Sequence, residues 1–247
     1  MNPILHDLHN KQWVWTAANA KQNRCLPTLG TGFENFDKVL NGGFPRAGLI
    51  HVDSPLGCGE LRLMLSVLSP GAALLSEYER TQKAQANNKL EVFINPPFEL
   101  NAEFLLAHNL RLEQLIVVQT KSLEEALWSA EQCAKSGACH GVFLWQSKLQ
   151  HKHIRKLELA AQQGGSYCIW LQNQSTQEAN LPLSLSLSLR REGEKMLITV
   201  NKQKVGWAQK AVKVPLPFTR LTNRSLKHKL GYSEPEQSGK VVSINAV

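Results

Sequence analysis

A short glycine-bearing loop is the part of this sequence whose residue types and spacing come nearest to phosphate chemistry. It covers residues 54–59, carries Gly57 and Gly59, and lies between an apolar run at 49–53 and an amphipathic run with Leu61, Leu65 and Leu68. A strand, a loop of the form Gly-x-x-x-x-Gly-Lys-Ser/Thr and a helix together bind nucleotide phosphates. The backbone N–H groups cradle the anion, the lysine reaches the β- and γ-phosphates, and the hydroxyl holds Mg²⁺.

Three positions of that pattern hold residues that cannot perform this chemistry. Ser54 stands at the first glycine position, Glu60 at the lysine position and Leu61 at the hydroxyl position. A carboxylate facing phosphate is repulsive, and a leucine side chain cannot ligate a metal ion. We therefore expect a vestigial nucleotide loop, made of Ser54, Gly57, Gly59, Glu60 and Leu61, with no cofactor and no catalytic residues.

Alternating strands and helices must position this loop. Apolar runs at 49–53, 91–94, 115–119, 141–145 and 167–171 predict strands, and amphipathic runs starting at 61, 122 and 154 predict helices. Ser122 with Glu125 predicts a capping box, and Gly137 predicts the end of that helix. Apolar strands separated by helices pair in parallel. The predicted fold class is α/β, a mostly parallel sheet flanked by helices.

The pattern changes after residue 180. Leu183, Leu185, Leu187 and Leu189 alternate with serines, which predicts a strand with one face on the core and the other in water. Runs at 196–201 and 211–214 predict further strands of an antiparallel C-terminal extension. We expect three parts: an N-terminal helical segment at 1–25, a core domain at 26–215, and a basic, partly disordered tail at 216–247. A polar stretch from residue 76 to residue 90 is expected to be a surface connection.

Composition excludes several classes of protein. The 247 residues include only 19% charged residues, with a net charge of +8, and their apolar runs are far too short to span a membrane. The N-terminus lacks the pattern of a secretory signal. Five widely spaced cysteines, with no Cys-x-x-Cys pair, indicate reduced thiols and a cytoplasmic protein. His151 and His153 have no cysteine pair nearby, so no metal site is expected.

Positive charge is concentrated near the C-terminus. Residues 190–232 carry eleven lysines and arginines against two acids. Arg190, Arg191, Lys202 and Lys204 lie on or between the late strands and are candidate DNA-phosphate contacts. The alternative is a solvated sheet edge that discourages pairing with other chains.

Aromatic and basic side chains give candidate protein contacts. Trp13 and Trp15 could anchor a partner, or their helix could fold back on its own core. Trp128 lies off the apolar stripe of its helix and could contact a partner or pack under the connection at 76–90. The basic residues of the tail suit an acidic protein partner or DNA equally well: Arg220, Arg224, Lys227 and Lys229.

The order of these segments resembles the RecA recombinase family. The resemblance is carried by residues 31–40, the glycines and proline at 42–48, and residues 119–137, and it runs from about residue 31 to 215. It implies a RecA-like fold. It also implies that two further catalytic positions have changed. The magnesium-binding acid is replaced by Trp145-Gln146, and the acid that activates water is replaced by Asn95. RecA-type ATP hydrolysis is therefore not expected.

Within that superfamily the sequence resembles the ImuA family of bacterial mutasome accessory proteins, through residues 54–62, 95–97, 126–132 and 136–139. The resemblance implies a non-catalytic role in SOS-induced translesion DNA synthesis. The implied partners are an ImuB-type Y-family polymerase homologue and an error-prone replicative-type polymerase, with DNA and RecA as further candidates. The alternative is a division inhibitor acting on FtsZ, because residues 90–171 also resemble the SulA family. Residues 31–68, which that family lacks, favour the first interpretation.

Overall fold

The structure is a computed structural model that describes residues 28–31, 33–68, 89–108, 110–173, 181–204 and 209–215. The predicted N-terminal helical segment at 1–25, most of the connection at 76–90, and the tail at 216–247 lie outside the described residues. Those three predictions therefore stay predictions.

Helices and strands alternate along the described part of the chain. The helices are α1 (Glu34–Val39), α2 (Glu60–Leu68), α3 (Ala102–Ala107), α4 (Leu123–Lys135) and α5 (His151–Gly164), with a 3₁₀ turn at Leu112–Gln114. The strands are β1 (Thr28–Leu29), β2 (Phe44–Pro45), β3 (Gly48–Asp53), β4 (Leu90–Ile94), β5 (Leu115–Val118), β6 (Cys139–Trp145), β7 (Tyr167–Gln172), β8 (Leu185–Glu192), β9 (Lys195–Gln203) and β10 (Gln209–Pro215).

Eight of these strands form one sheet in the order β10-β9-β8-β3-β7-β6-β4-β5. Strands β3 to β8 pair in parallel, whereas β9 and β10 pair antiparallel to their neighbours. The predicted α/β class, with its antiparallel C-terminal strands, is confirmed. Because parallel strands end on the same side, the loops after β3, β4, β6 and β7 share one border of the sheet, called here the carboxyl edge. The opposite border is the amino edge.

Both faces of the sheet are covered by helices. On β3, Ile50 and Val52 pack on one face with residues of α1, α2 and α3. Leu49 points to the other face, which packs on α4 and α5. This two-sided burial explains why the central strands are continuously apolar instead of alternating.

The ends of α4 follow the predicted signals, with one difference. The Ser122 side chain accepts a hydrogen bond from the Glu125 N–H at 3.2 Å. The Glu125 carboxylate, however, accepts from the Lys121 N–H at 2.9 Å rather than from Ser122. Gly137 adopts a left-handed φ of 73° just past the helix, as expected of a residue that ends it. The capping-box prediction is therefore half right.

The prediction of a wet serine face on β8 is wrong. Ser184 and Ser186 are 4% and 2% exposed. Strand β8 pairs in parallel with β3, so its serine face lies beside His51 and α5 and not at the sheet border. Ser184 donates to the Glu158 carboxylate at 2.6 Å, and the Ser186 hydroxyl lies 3.0 Å from Nδ1 of His51. Hydrogen-bond partners inside the protein replace the expected water.

Two absences concern the described residues alone. No helix among them is both long and apolar enough to cross a membrane. In the same part of the chain, no three side chains of His, Cys, Asp or Glu converge as a metal site would require.

Candidate functional site

The vestigial loop lies at the carboxyl edge of the sheet, between β3 and α2. The Ser54 N–H donates to the Gln172 carbonyl at 2.9 Å, which extends the β3–β7 pairing into the loop. Gly57 and Gly59 take left-handed φ values of 74° and 109°. Side chains rarely adopt these angles, so glycine is required at both positions. The loop therefore keeps the backbone form that directs N–H groups inward.

The Glu60 carboxylate accepts hydrogen bonds from those N–H groups. Its Oε1 accepts from the Gly57 N–H at 3.2 Å and its Oε2 accepts from the Gly59 N–H at 3.0 Å. Only 8% of Glu60 is exposed. The sequence predicts that the Glu60 carboxylate faces the phosphate position and repels a bound phosphate. Instead the side chain folds back onto its own loop and satisfies donors that a phosphate would use.

The thiol of Cys58, in the same loop, is unreactive as a nucleophile at neutral pH. Burial raises its pKa to about 11, and the charge of Glu60 adds to the effect. A thiol with such a pKa remains protonated at neutral pH, and the thiolate is the reactive form. Cys58 therefore belongs to the packing of the loop.

The metal-binding positions carry no oxygen ligand suited to magnesium. Leu61 packs against the core. At the end of β6, Trp145 stacks on Phe93 with ring centroids 5.8 Å apart. The adjacent Gln146 is used within the protein: its carbonyl accepts from the Trp170 indole at 2.8 Å, and its amide oxygen accepts from the Ser147 N–H at 3.0 Å.

Asn95, at the position where the resemblance implies a water-activating acid, connects two strand ends instead. Asn95 adopts a positive φ of 52° at the end of β4. Its side chain donates to the Thr120 hydroxyl at 2.9 Å and accepts from the Thr120 N–H at 2.8 Å. These bonds hold the ends of β4 and β5 together. Taken with Glu60, they mean that this site does not fit a magnesium nucleotide.

The structure separates the four basic residues predicted to contact DNA. Arg190 and Arg191 are exposed at the carboxyl edge, where Arg191 donates to the Gly193 carbonyl at 3.0 Å. Lys202 pairs with Ser186 across the β8–β9 ladder, whereas Arg191 pairs with Met196. Five residues along β8, about 16 Å, therefore separate Arg191 from the position of Lys202 in the ladder.

The two lysines are also engaged within the protein. Lys202 donates to the Leu181 carbonyl, and the Lys204 ammonium lies 3.6 Å from the Glu158 carboxylate. The register pairs Asp53 with Ser188, so Arg190 lies just beyond the end of β3 and beside the vestigial loop. Of the four basic residues, only Arg190 and Arg191 lie at the same edge of the sheet as the vestigial loop.

Among the predicted protein contacts, Trp128 is 65% exposed on α4. The other predicted contacts lie outside the described residues: Trp13, Trp15, Arg220, Arg224, Lys227 and Lys229.

A buried polar cluster on the α4–α5 face was not predicted. His51 is fully buried, with its Nδ1 3.0 Å from the Ser186 hydroxyl and its Nε2 2.9 Å from Oε1 of Gln172. The Gln172 oxygen can only accept, so Nε2 carries the proton and Nδ1 accepts from Ser186. Burial lowers the pKa of His51. A histidine in the middle of an apolar strand was the one sequence signal for this cluster.

Comparison with known proteins gives two distant relatives. The chain is 26% identical over 120 residues to the Protein RecA of Desulforapulum autotrophicum, an alignment that covers 48% of this chain and 31% of the relative. It is 26% identical over 121 residues to the Protein RecA of Phytoplasma mali, covering 49% and 32%. The chain thus spans about a third of the length of each. No family model matches. These matches support a RecA-like relationship over about half of the chain.

Proposed function

We propose that this RecA-like chain is a non-catalytic accessory protein of SOS-induced translesion DNA synthesis, of the ImuA type. In this role it bridges an ImuB-type Y-family polymerase homologue and an error-prone replicative-type polymerase. The observation that carries the proposal is the Glu60 carboxylate, which takes the N–H groups of Gly57 and Gly59. A RecA-like fold that has lost its phosphate site must act through its surfaces.

Two exposed features support this kind of action. Trp128 offers a large aromatic side chain of the kind that dominates the binding energy of protein interfaces. Arg190 and Arg191 offer exposed cations at the carboxyl edge. They suit DNA phosphates without reading the base sequence. RecA remains a further candidate partner.

The direct experiment measures binding of the full chain to each purified polymerase partner. We expect both to bind. Trp128→Ala should weaken binding of one of them about tenfold or more, as loss of an interface hot spot does. The matched control is Leu159→Ala, which removes another exposed apolar side chain, 57% exposed, from the neighbouring helix α5. If neither polymerase binds the unmodified chain, the proposal fails.

A second experiment tests the absence of nucleotide chemistry. We expect no ATP turnover by the full chain, with or without single-stranded DNA, under conditions in which a RecA protein is active. Turnover that is abolished by a change in the loop at Glu60 would contradict the proposal.

The SulA-like alternative is distinguished by its target. The segment that resembles that family runs from β4 to β7, whereas β3, the vestigial loop and α2 lie outside it. We expect the purified chain to leave FtsZ GTPase activity unchanged. Stoichiometric inhibition, together with filamentous cells on overexpression, would favour the division inhibitor.

A further inference from the structure

An apolar groove runs along β5, the outermost strand at this side of the sheet, and reaches the carboxyl edge where residues 96–99 follow β4. It encloses about 530 Å³ and is lined by those residues, by helix α3 and by Leu115 and Val117 of β5. Phe98 and Val117 on its lining are 64% and 48% exposed. Contiguous exposed apolar side chains in a concave site mark a binding surface.

Although the chain as a whole carries a charge of +8, the lining of this groove includes the acidic residue Glu99. Two further acids directly follow lining residues in the chain: Glu103 follows Ala102, and Glu113 follows Leu112. Arg111 pairs with Glu113 at 3.8 Å. Within the described part of the chain, the side-chain carboxylates of Glu99 and Glu103 have no hydrogen bond or ion pair. A matching occupant is a segment that is both apolar and cationic.

The tail of this same chain has that composition. Residues 216–232 contain Arg220, Arg224, Lys227 and Lys229, with no acidic residue among them. Leucines at 221, 226 and 230 are interspersed with these cations.

The tail also starts at the correct border of the sheet. Strand β10 is antiparallel to β9, which is antiparallel to β8, and β8 is parallel to β3. Strand β10 therefore ends, at Pro215, on the carboxyl edge, where residues 96–99 line the groove. Six to seven strand spacings of about 4.8 Å separate β10 from β4 and β5, which is roughly 30 Å or about ten extended residues. Residues from about 226 onward can therefore reach the groove.

Another undescribed segment, 1–27, starts from the wrong side. Thr28 pairs with Pro45, three residues before β3 begins, so that segment joins the sheet at the amino edge. The segment 69–88 joins the end of α2 to the start of β4, also at the amino edge, and its charges balance. Position therefore favours the tail over segment 1–27, and position and charge together favour it over segment 69–88.

We propose that residues 226–230 dock in this groove, with Lys227 and Lys229 against Glu99 and Glu103. The preceding residues, with Arg220 and Arg224, then cross the carboxyl edge over the vestigial loop. A tethered segment has an effective concentration near the millimolar range, so it outcompetes the tail of a second copy at micromolar protein. The inference stands independently of the proposed function, and a partner that binds this edge must displace the tail.

The test is zero-length carbodiimide cross-linking of the full chain, with the products mapped by mass spectrometry. We expect links from Lys227 or Lys229 to Glu99 or Glu103 in the monomer. Leu226→Gln leaves every cross-linking group in place and adds none, but removes the apolar anchor, and should lower the yield about tenfold, the effect of about 1.4 kcal/mol. The control, Leu159→Gln at an exposed position of α5, should leave the yield within about twofold.

Hydrogen exchange gives a second measurement, with a variant on the groove side. Amides at 226–230 should exchange about tenfold faster in Phe98→Ser than in the unmodified chain. Absent links, links confined to a dimer fraction, or a yield unchanged by Leu226→Gln would each overturn the proposal. Links confined to the dimer would identify a second copy as the source of the tail.

Discussion

Two buried carboxylates, Glu60 and Glu158, are each 8% exposed, yet they organise different kinds of structure. Glu60 accepts from donors one and three residues away, and so closes a single loop. Glu158 on α5 accepts from the Leu49 N–H and the Ser184 hydroxyl, both at 2.6 Å, which lie 109 and 26 residues away. It therefore fixes α5 against the start of β3 and the entry to β8.

The difference shows how far the influence of each carboxylate extends through the fold. The loop donors need only an anion, and a side chain at the start of α2 supplies one without disturbing other elements. The Glu158 cluster holds three elements together, and Lys204 adds a charge 3.6 Å away. Changes at Glu60 should affect the loop, and changes at Glu158 should affect the whole domain.

The largest effect is expected for Glu158→Ala. It leaves the Leu49 N–H and the Ser184 hydroxyl buried without their acceptor, which should lower the free energy of unfolding by about 3 kcal/mol. Glu158→Gln is the control, because its amide oxygen still accepts and most of the stability should remain. Urea denaturation measures both. Equal losses in the two variants would show that charge, and not hydrogen bonding, dominates this cluster.

Glu60→Ala should have a smaller and reversible effect. Loss of two hydrogen bonds to a carboxylate should lower the free energy of unfolding by roughly 1–2 kcal/mol. The freed N–H groups of Gly57 and Gly59 should then accept an external anion. Millimolar pyrophosphate should raise the Tm of the variant but not that of the unmodified chain.

The control for this anion rescue is Glu60→Gln, whose amide fills the same space. It should show little response to pyrophosphate. If the unmodified chain is stabilised as much as Glu60→Ala, the loop donors are available and the comparison of the two carboxylates is wrong.

A third prediction concerns pH and the cluster around His51. Burial lowers the pKa of His51 below its usual 6.5, so the folded state binds fewer protons than the unfolded state in acid. Its contribution to stability is full above the unfolded pKa and is lost as the pH falls below it. The slope is at most about 1.4 kcal/mol per pH unit. His51→Gln should remove this contribution to the slope of the unfolding free energy against pH between pH 7 and 5. Urea denaturation at each pH measures the slope.

The smallest effect on stability is expected for Trp128→Ala. An exposed side chain on α4 contributes little to packing, so unfolding should change by less than about 0.5 kcal/mol. Thermal denaturation checks this. A loss above about 1 kcal/mol would show that Trp128 packs within its own chain and is not free for a partner.

Much of the frame was predictable because its signals are local. The apolar runs placed the central strands, and Ser122 and Gly137 marked the ends of α4. Helices α1 and α3 were not predicted, since six-residue helices carry too few periods to stand out. The alternation in β8 correctly predicted a strand, but the prediction of solvent on its serine face was wrong. Residue spacing carries no information on which elements, here β3 and α5, cover a strand.

The sequence by itself determined that the loop has no lysine at position 60 and no hydroxyl at position 61, and that strands alternate with helices. Only the tertiary structure decided that Glu60 takes the place of the anion, that Glu158 joins distant elements, and that Arg190 and Lys202 lie at opposite borders of the sheet. The physical reason is range. Propensity, caps and periodicity act over a few residues, whereas side-chain burial and strand order depend on segments that meet only when the whole chain packs.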